Sequence, residues 1–228
     1  MSVLITGDVH GLTKRYVKQV KDSGCEYSLQ IGDMGFNYDE LALLDDNKHM
    51  FFGGNHDNYD FYREEPKALG DYGFRMVGNL KMFFIRGAYS IDMAYRVANY
   101  YSTGKISWWA NEQLNREEGQ AALDDYKSVK PRYMFSHTCP SEIAKIIGND
   151  NILRNFHLDP KKFTTDTQEL LQDCFDFHKP EVWVFGHFHR NLDFTHKGTR
   201  FICLDELSSI KYENKKFINT NLLDSVRQ

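Results

Sequence analysis

Short apolar runs alternate with segments of helical spacing along the first third of the chain. The apolar runs lie at residues 3–5, 29–31 and 50–52, and the segments between them lie at 14–21 and 39–44. Runs this short are typical of the buried strands of a parallel sheet. The order strand, helix, strand, helix, strand therefore predicts right-handed βαβ units in this part of the chain.

Beyond residue 73 the pattern indicates hairpins and further helices. Two pairs of strand-like runs, at 74–85 and 192–204, each enclose a tight turn that contains a glycine, and 209–212 can extend the second pair. Helices are predicted at residues 107–118, 120–126, 141–147 and 167–178. This order predicts the α/β class, with two mixed sheets packed face to face and helices outside. With no repeat or linker in the sequence, we expect one domain over residues 1–228.

Polar residues that can bind metals follow five of the apolar runs, each after a glycine or serine. They are Asp8 with His10, Asp33, Asn55 with His56 and Asp57, His137, and His187 with His189. In open α/β sheets, ligands collect in the crevice beyond the carboxyl ends of the strands. One such strand end is ordinary, but five predict a single site assembled from the whole sheet. We expect that site to hold two metal ions.

The residue types indicate which metals suit the site. In an extended segment, side chains at i and i+2 point to the same side, so Asp8 and His10 can reach one ion, as can His187 and His189. Asp33 supplies a carboxylate that can bridge two cations. Nitrogen and oxygen ligands without thiolate favour Mn²⁺ as the first choice, with Fe, Zn²⁺ or Ni²⁺ as alternatives.

Counting charges at such a site indicates the kind of substrate. Two divalent ions bring four positive charges, of which Asp8, Asp33 and a bridging hydroxide would remove three. The remaining positive charge favours an anionic substrate such as a phosphate ester. Two metals about 3.5–4 Å apart can clamp the attacking and leaving oxygens of an in-line displacement.

The composition indicates which partners and which cellular compartment to expect. The chain of 228 residues has 28 basic and 32 acidic residues, so no overall basic field attracts nucleic acid or membrane. No apolar run approaches the ~20 residues of a transmembrane helix. The first residues lack the pattern of a secretory signal, and the four cysteines form no Cys-x-x-Cys pair. We expect free thiols and a cytoplasmic protein with no membrane partner.

The strand-end motifs, taken in order, resemble those of a known family. They are Gly7-Asp8-Val9-His10-Gly11, Gly32-Asp33, Gly54-Asn55-His56-Asp57, His137 and Gly186-His187-Phe188-His189. Together they resemble the five blocks of the calcineurin-like metallophosphoesterases, and they cover most of the chain. The resemblance implies a four-layered α-β-β-α sandwich of two mixed sheets flanked by helices.

The resemblance also implies roles for these residues. One metal would be held by Asp8, His10, Asp33 and His189, and the second by Asp33, Asn55, His137 and His187. A metal-bridging hydroxide would attack phosphorus. His56 would protonate the leaving group, and Asp57 would orient or charge His56. An imidazolium beside a carboxylate is a chemically sensible proton donor for a departing alkoxide.

Two departures separate the chain from the protein Ser/Thr phosphatases of this family. Those enzymes follow the bridging aspartate with Asp-Arg-Gly, where this chain has residues 34–37, and they end the third block in Glu rather than Asp57. The chain looks more like bacterial and phage members. Arg86, Arg96 or Arg190 can supply a phosphate contact instead, and the sequence places none of them.

Several alternatives stay open at this stage. The substrate can be a phosphomonoester or a phosphodiester, and a nucleotide, a nucleic-acid end and a phosphoprotein all remain candidates. Segments 91–105 and 148–167 are long enough to line or cap the site. Trp108 and Trp109 can stack on a substrate ring or fill the core. The alternative function is a catalytically silent metal-binding adaptor on the same fold. The oligomeric state is not indicated.

Overall fold

The computed structural model describes residues 1–148 and 150–219. The strands are β1 Ser2–Thr6, β2 Tyr27–Ile31, β3 His49–Phe52, β4 Tyr72–Val77, β5 Leu80–Ile85, β6 Tyr133–Ser136, β7 Val182–Phe185, β8 Leu192–His196, β9 Thr199–Cys203, β10 Ser209–Glu213 and β11 Lys216–Asn219. The α-helices are α1 Thr13–Asp22, α2 Met93–Thr103, α3 Arg116–Val129, α4 Ser141–Ile147, α5 Asp150–Asn155 and α6 Asp166–Phe177. We expect a single domain over residues 1–228, and residues 149 and 220–228 of that range lie outside the residues that the structure describes.

The strands form two mixed sheets, as the sequence predicts. The first has the order β11-β10-β1-β2-β3, in which β1, β2 and β3 are parallel. The second has the order β4-β5-β6-β7-β9-β8, and its four middle strands are parallel. The hairpins β4–β5 and β8–β9 close its two edges with antiparallel pairs.

Alternating side chains make the two sheets pack face to face. Val3 and Ile5 of β1 point into the core between the sheets, where Val184 of β7 also packs. Leu4 points the other way, toward the face covered by α1. Trp183 packs under α3, α4 and α6 on the outer face of the second sheet. The predicted four-layered α-β-β-α sandwich is therefore confirmed.

One predicted helix is wrong. The segment 107–118 does not form an amphipathic helix, because Trp109 is extended and only a short 3₁₀ turn, Ala110–Glu112, follows it. The helix α3 begins after Asn115, whose side chain caps it in a reciprocal capping box with Glu118. The buried ring of Trp109 packs into the core beneath the first sheet, so the core alternative holds for this residue.

Two other segments differ from the sequence expectation. The second predicted crossover helix, at 39–44, is a 3₁₀ segment, Asp39–Leu43. Part of the segment 91–105, for which the sequence predicts no helix, forms the helix α2, which ends at Gly104 in the left-handed conformation. Among the helices of the described ranges, none has the length and apolar character needed to cross a bilayer.

Candidate metal centre

Sharp turns at the strand ends point the candidate ligands toward one another. Four of these residues have left-handed backbone conformations, with φ of 48° at His10, 60° at Asp33, 66° at His187 and 50° at His189. Such angles are uncommon for residues other than glycine and concentrate at functional sites. Each of these segments thus turns within four residues of the end of its strand, so its polar side chain remains near the strand end.

The glycines of the motifs make room for the ligands. A Cβ atom on Gly54 would collide with the Asp33 carboxylate, and one on Gly186 would collide with the Asp8 carboxylate. Glycine permits such a close approach of a carboxylate to the backbone because it has no Cβ atom. The recurring Gly-ligand pairs in the sequence are therefore explained by the approach of side chains from neighbouring strands.

One group of ligand-type atoms forms around Asp8. His189 Nε2 lies 3.3 Å from Asp8 Oδ2, and His10 Nε2 lies 3.7 Å from the same oxygen. The two Nε2 atoms are 3.1 Å apart. The second oxygen of Asp33, Oδ2, lies 3.8 Å from His10 Nε2. The structure thus brings together the four residues predicted to share one ion.

A second group forms on the other side of the Asp33 carboxylate. His137 Nε2 lies 3.1 Å from Asp33 Oδ1, and His187 Nδ1 lies 3.0 Å from Asn55 Oδ1. The rings of His137 and His187 meet edge to face at 5.2 Å. These are the four residues predicted to share the other ion, and Asp33 belongs to both groups.

The environment of His137 suits a cation. Its Nδ1 lies 3.0 Å from the carbonyl oxygen of Ile31, which can only accept, so Nδ1 carries the proton. In the neutral ring, Nε2 then presents a lone pair. This atom is buried without a hydrogen-bond partner, although it faces a carboxylate oxygen of Asp33. Two buried acceptors that face each other are costly unless a cation lies between them, so the residues fit a metal ion.

Without metal, the centre would attract protons instead. Burial alone disfavours the charged forms, but the Asp33 carboxylate beside His137 raises the pKa of that imidazole to about 9. In turn, although burial opposes it, the charges of His137, His56 and His10 hold the pKa of Asp33 well below its usual range. Asp33 is therefore ionised, and without metal its cationic neighbour is the protonated imidazole of His137.

His56 lies at the same centre but faces an arginine. Its ring contacts His10 edge to face at 4.7 Å. The Arg96 guanidinium lies 2.5 Å from His56 Nε2 and 3.2 Å from Nδ1. Burial lowers the pKa of His56 to about 4, with Arg96 contributing in the same direction against the opposing effect of Asp33. The free imidazole is thus neutral at pH 7.

Asp57 makes contacts other than the expected one with His56. Its Oδ2 accepts hydrogen bonds from the backbone amides of Asp33 and Gly54, at 2.9 and 2.7 Å. Its Oδ1 accepts from the Gly35 amide at 3.2 Å and the Tyr38 hydroxyl at 3.1 Å. The buried carboxylate thereby joins the turns that follow β2 and β3. Burial and the nearby Asp33 charge raise the pKa of Asp57 to about 7.

Two residues that sequence reasoning did not single out support Asn55. The Asn55 amide nitrogen donates to Ser90 Oγ at 3.2 Å, and Ser90 Oγ donates to Glu112 Oε2 at 2.8 Å. This series of hydrogen bonds directs the Asn55 side-chain oxygen toward His187. Glu112 is 2% exposed, but nothing in the sequence distinguishes it from the exposed glutamates around it.

Comparison with known proteins finds similarity in structure only. No family model matches the chain, and no match is found among curated proteins. A dimetal phosphatase from Danio rerio is similar in structure, with a TM-score of 0.53, 14% identity, and coverage of 92% of this chain and 91% of that one. A putative 5'-nucleotidase from Staphylococcus aureus matches with a TM-score of 0.51 and 12% identity. The match covers 96% of this chain and 52% of the nucleotidase, so this chain aligns with about half of that protein. The resemblance predicted from the motifs is confirmed at the level of the fold.

Proposed function

We propose that this chain, which has the fold of the calcineurin-like metallophosphoesterases, is a single-domain, dinuclear metal-dependent hydrolase of phosphate esters. The observation that carries the proposal is the position of Asp33 between the two groups of ligand-type residues. One carboxylate oxygen faces His10 at 3.8 Å, and the other faces His137 at 3.1 Å. A carboxylate in this position suits a bridge between two cations.

The residues of the two groups would hold one ion each. Asp8, His10, Asp33 and His189 would hold the first, and Asp33, Asn55, His137 and His187 the second. Mn²⁺ is our first choice for this set of nitrogen and oxygen donors, and Fe, Zn²⁺ or Ni²⁺ would also suit it. When bound, such ions supply Lewis-acid stabilisation of phosphoryl oxygens and lower the pKa of a coordinated water.

Arg96 is the arginine best placed to bind the phosphate. Its guanidinium contacts His56 and is held by Asp92 at 2.8 Å and by the Ser107 carbonyl oxygen at 3.0 Å. Arg86, by contrast, is committed to Asp71 and stacks over the Tyr59 ring at 4.5 Å.

Arg190 also has a structural contact, since it donates to the carbonyl oxygen of Ile147 at 2.6 Å. A guanidinium beside the metal centre favours a phosphomonoester, because the extra negative charge of a monoester needs a partner. We therefore expect phosphomonoesters to be better substrates than phosphodiesters.

His56 would protonate the leaving alcohol when substrate is bound. In the free protein, burial lowers its pKa to about 4, so its resting form is neutral. A phosphate dianion next to the ring would raise that pKa, since an opposite charge favours the charged form. The same anion would draw Arg96 away from the imidazole. The proton donor would thus become charged only with the substrate in place.

The cysteines fit the cytoplasmic setting that we propose. All four are free and buried. Burial raises the pKa of the Cys174 thiol above its usual range, and it does the same for Cys139 and Cys203. Such thiols are poor nucleophiles and suit a packed core in a reducing compartment.

The test compares p-nitrophenyl phosphate with bis(p-nitrophenyl) phosphate, using protein stripped of metal and reloaded with Mn²⁺. We expect turnover that depends on metal, is faster with the monoester, and is lost in both His56→Ala and Asp33→Asn. Asp33→Asn should also reduce the bound Mn²⁺ from two ions per chain to one or none. His196→Ala, which removes a histidine that contacts Glu142, is the matched control and should behave as wild type.

The alternative function has its own outcome. Two Mn²⁺ ions bound per chain with no hydrolysis of either ester would favour the catalytically silent adaptor. Turnover that persists in Asp33→Asn, or in protein without metal, would contradict the dinuclear mechanism itself.

A further inference from the structure

A cavity of about 990 Å³ opens directly beside the metal centre. Asp33, Asn55 and His187 lie at one end of it, together with His56 and Arg96. A volume of this size is typical of sites that enclose a whole small molecule. It therefore has room for much more than a phosphate group.

The rest of the cavity has a largely apolar wall. Its large apolar side chains include Tyr89, Ile91, Ile152, Phe156, Phe163 and Phe188. The rings of Tyr89 and Phe163 lie 6.2 Å apart, so two separate segments of the chain meet there. Because this apolar surface begins at a highly charged centre, it indicates a ligand with a charged group at one end and an apolar remainder.

The helix α5 has no role in the core that would explain its apolar residues. None of its residues is buried, and Ile152 is 46% exposed. Phe156, immediately after the helix, is 42% exposed. Both side chains line the cavity, so they are available to a ligand rather than used by the fold.

Three of the charged side chains that line the cavity have partners, and Lys145 also lines it. Arg96 pairs with Asp92, and Arg190 donates to a backbone carbonyl oxygen. Asp150 lies 3.3 Å from Arg154. A nucleic-acid strand needs several lysines or arginines in line for its phosphates, and this lining does not supply such a row. A concave cavity of this volume also fits a small molecule better than a protein surface.

From these observations, and resting on the proposed function, we infer that the substrate is a small phosphate ester whose alcohol carries an aliphatic or aromatic body packed against this wall. Hydrolysis would break the P–O bond to that alcohol. Water would supply the new oxygen on phosphorus, and the alcohol would leave with the proton given by His56. The wall residues would then determine specificity, while the metal centre binds the phosphate.

Alkylphosphonates test the inference without requiring turnover, because their P–C bond is not hydrolysed. Binding of ethyl-, butyl-, hexyl- and octylphosphonate to Mn²⁺-loaded protein is measured by calorimetry. Transfer of one methylene out of water is worth up to about fourfold in an equilibrium constant, so octylphosphonate should bind at least about 30-fold more tightly than ethylphosphonate. 3-Phenylpropylphosphonate distinguishes an aromatic from an aliphatic preference.

Three variants locate the effect. Ile152→Ser and Phe156→Ser should each weaken octylphosphonate at least about fivefold and change ethylphosphonate less than about twofold. Ile146→Ser is the matched control, because Ile146 is 56% exposed on α4 and is not part of the cavity lining. It should leave both affinities unchanged.

Hydrolysis of the corresponding alkyl phosphates gives a second readout, in which kcat/KM should rise with chain length. Binding that is independent of chain length, or equal losses in Ile146→Ser, would overturn the inference. So would faster hydrolysis of a phosphoserine peptide or a mononucleotide than of octyl phosphate. Binding that depends on chain length, without any hydrolysis, would support the apolar binding site and contradict the proposed hydrolase activity.

Discussion

Ser90 donates two hydrogen bonds to Glu112, one to each carboxylate oxygen. The backbone amide of Ser90 lies 2.7 Å from Oε1, and its hydroxyl lies 2.8 Å from Oε2. Because the hydroxyl proton is committed to Glu112, its lone pair is free to accept from the Asn55 amide. Glu112 thus determines which atom of Asn55 faces the proposed metal site.

We predict that Glu112→Gln weakens binding of the second Mn²⁺ ion. The glutamine amide group can donate to Ser90 Oγ, which would reverse the hydrogen bond and release Asn55 from its orientation. Loss of such an outer partner typically costs 10–100-fold in metal affinity, so we expect about tenfold, measured by calorimetry. Ser90→Ala should act in the same direction. Glu117→Gln, an exposed change on α3, is the control. Equal affinities in all three variants would show that Asn55 needs no support.

A second prediction concerns the pH dependence of stability. Burial raises the pKa of Glu112 to about 7 from its usual value of 4.5, although hydrogen bonds from Ser90 oppose the shift. With the folded pKa above the unfolded one, the stabilising contribution is present at low pH and is lost as pH rises toward 8. The free energy of unfolding of wild type minus that of Glu112→Gln should therefore fall by about 2 kcal/mol from pH 5 to pH 8.

Urea denaturation of metal-free protein at pH 5, 6, 7 and 8 measures this difference. The subtraction cancels the other titrating groups that the two proteins share. A difference that stays constant across this range would mean that Glu112 is not shifted, and one that grows would reverse the sign of the argument.

Local patterning along the chain predicts the layers of this fold and the ends of its strands. The uninterrupted apolar run of Val3, Leu4 and Ile5 identifies a strand buried on both faces. The residues after such strands converge because parallel strands end together. The centre is therefore visible in the sequence as ordered motifs. The left-handed turns at His10 and Asp33 cannot be predicted from the sequence, since those conformations are imposed by the surrounding contacts.

The wrong prediction of a helix at residues 107–118 has a similar cause. Trp108 and Trp109 with Leu114 match helical spacing, but the start signal is the capping box of Asn115 and Glu118. Packing of Trp109 against the first sheet overrides the local pattern. The pairing of Ser90 with Glu112 joins residues 22 positions apart, and no periodicity reports such a contact.

A third prediction separates two roles for Asp57. If the carboxylate joins the turns after β2 and β3, then Asp57→Asn places an NH₂ group against backbone donors and leaves them unpaired. Because hydrogen bonds to charged groups contribute about 1.5–3 kcal/mol, we expect a loss of about 2 kcal/mol in the free energy of unfolding at pH 8. Binding of Mn²⁺ should weaken with it, since Asp33 is held by the same carboxylate.

The matched control for this experiment is Asp60→Asn, an exposed change three residues later. It should alter neither stability nor metal binding. The competing role, in which Asp57 acts on His56, predicts instead a lower kcat in Asp57→Asn with unfolding and metal affinity unchanged.

The last prediction concerns Arg96, whose guanidinium lies against both nitrogens of His56. Arg96→Met removes the positive partner of the monoester phosphate, and we expect kcat/KM for p-nitrophenyl phosphate to fall about 10–100-fold, as for loss of a strong charge-assisted contact. Turnover of bis(p-nitrophenyl) phosphate, which carries less charge, should fall less, and two Mn²⁺ ions should still bind. Arg154→Met, at an exposed arginine of α5, should have wild-type rates.

The same variant should also change the titration of His56. Removal of a neighbouring positive charge favours the imidazolium, so the pKa of His56 should rise from about 4, as followed by NMR of the ring in metal-free protein. A purely structural role for Arg96 would lower the activity on both esters equally, through loss of folded protein. An unchanged His56 titration together with equal losses on the two esters would therefore assign Arg96 to the scaffold rather than to the phosphate.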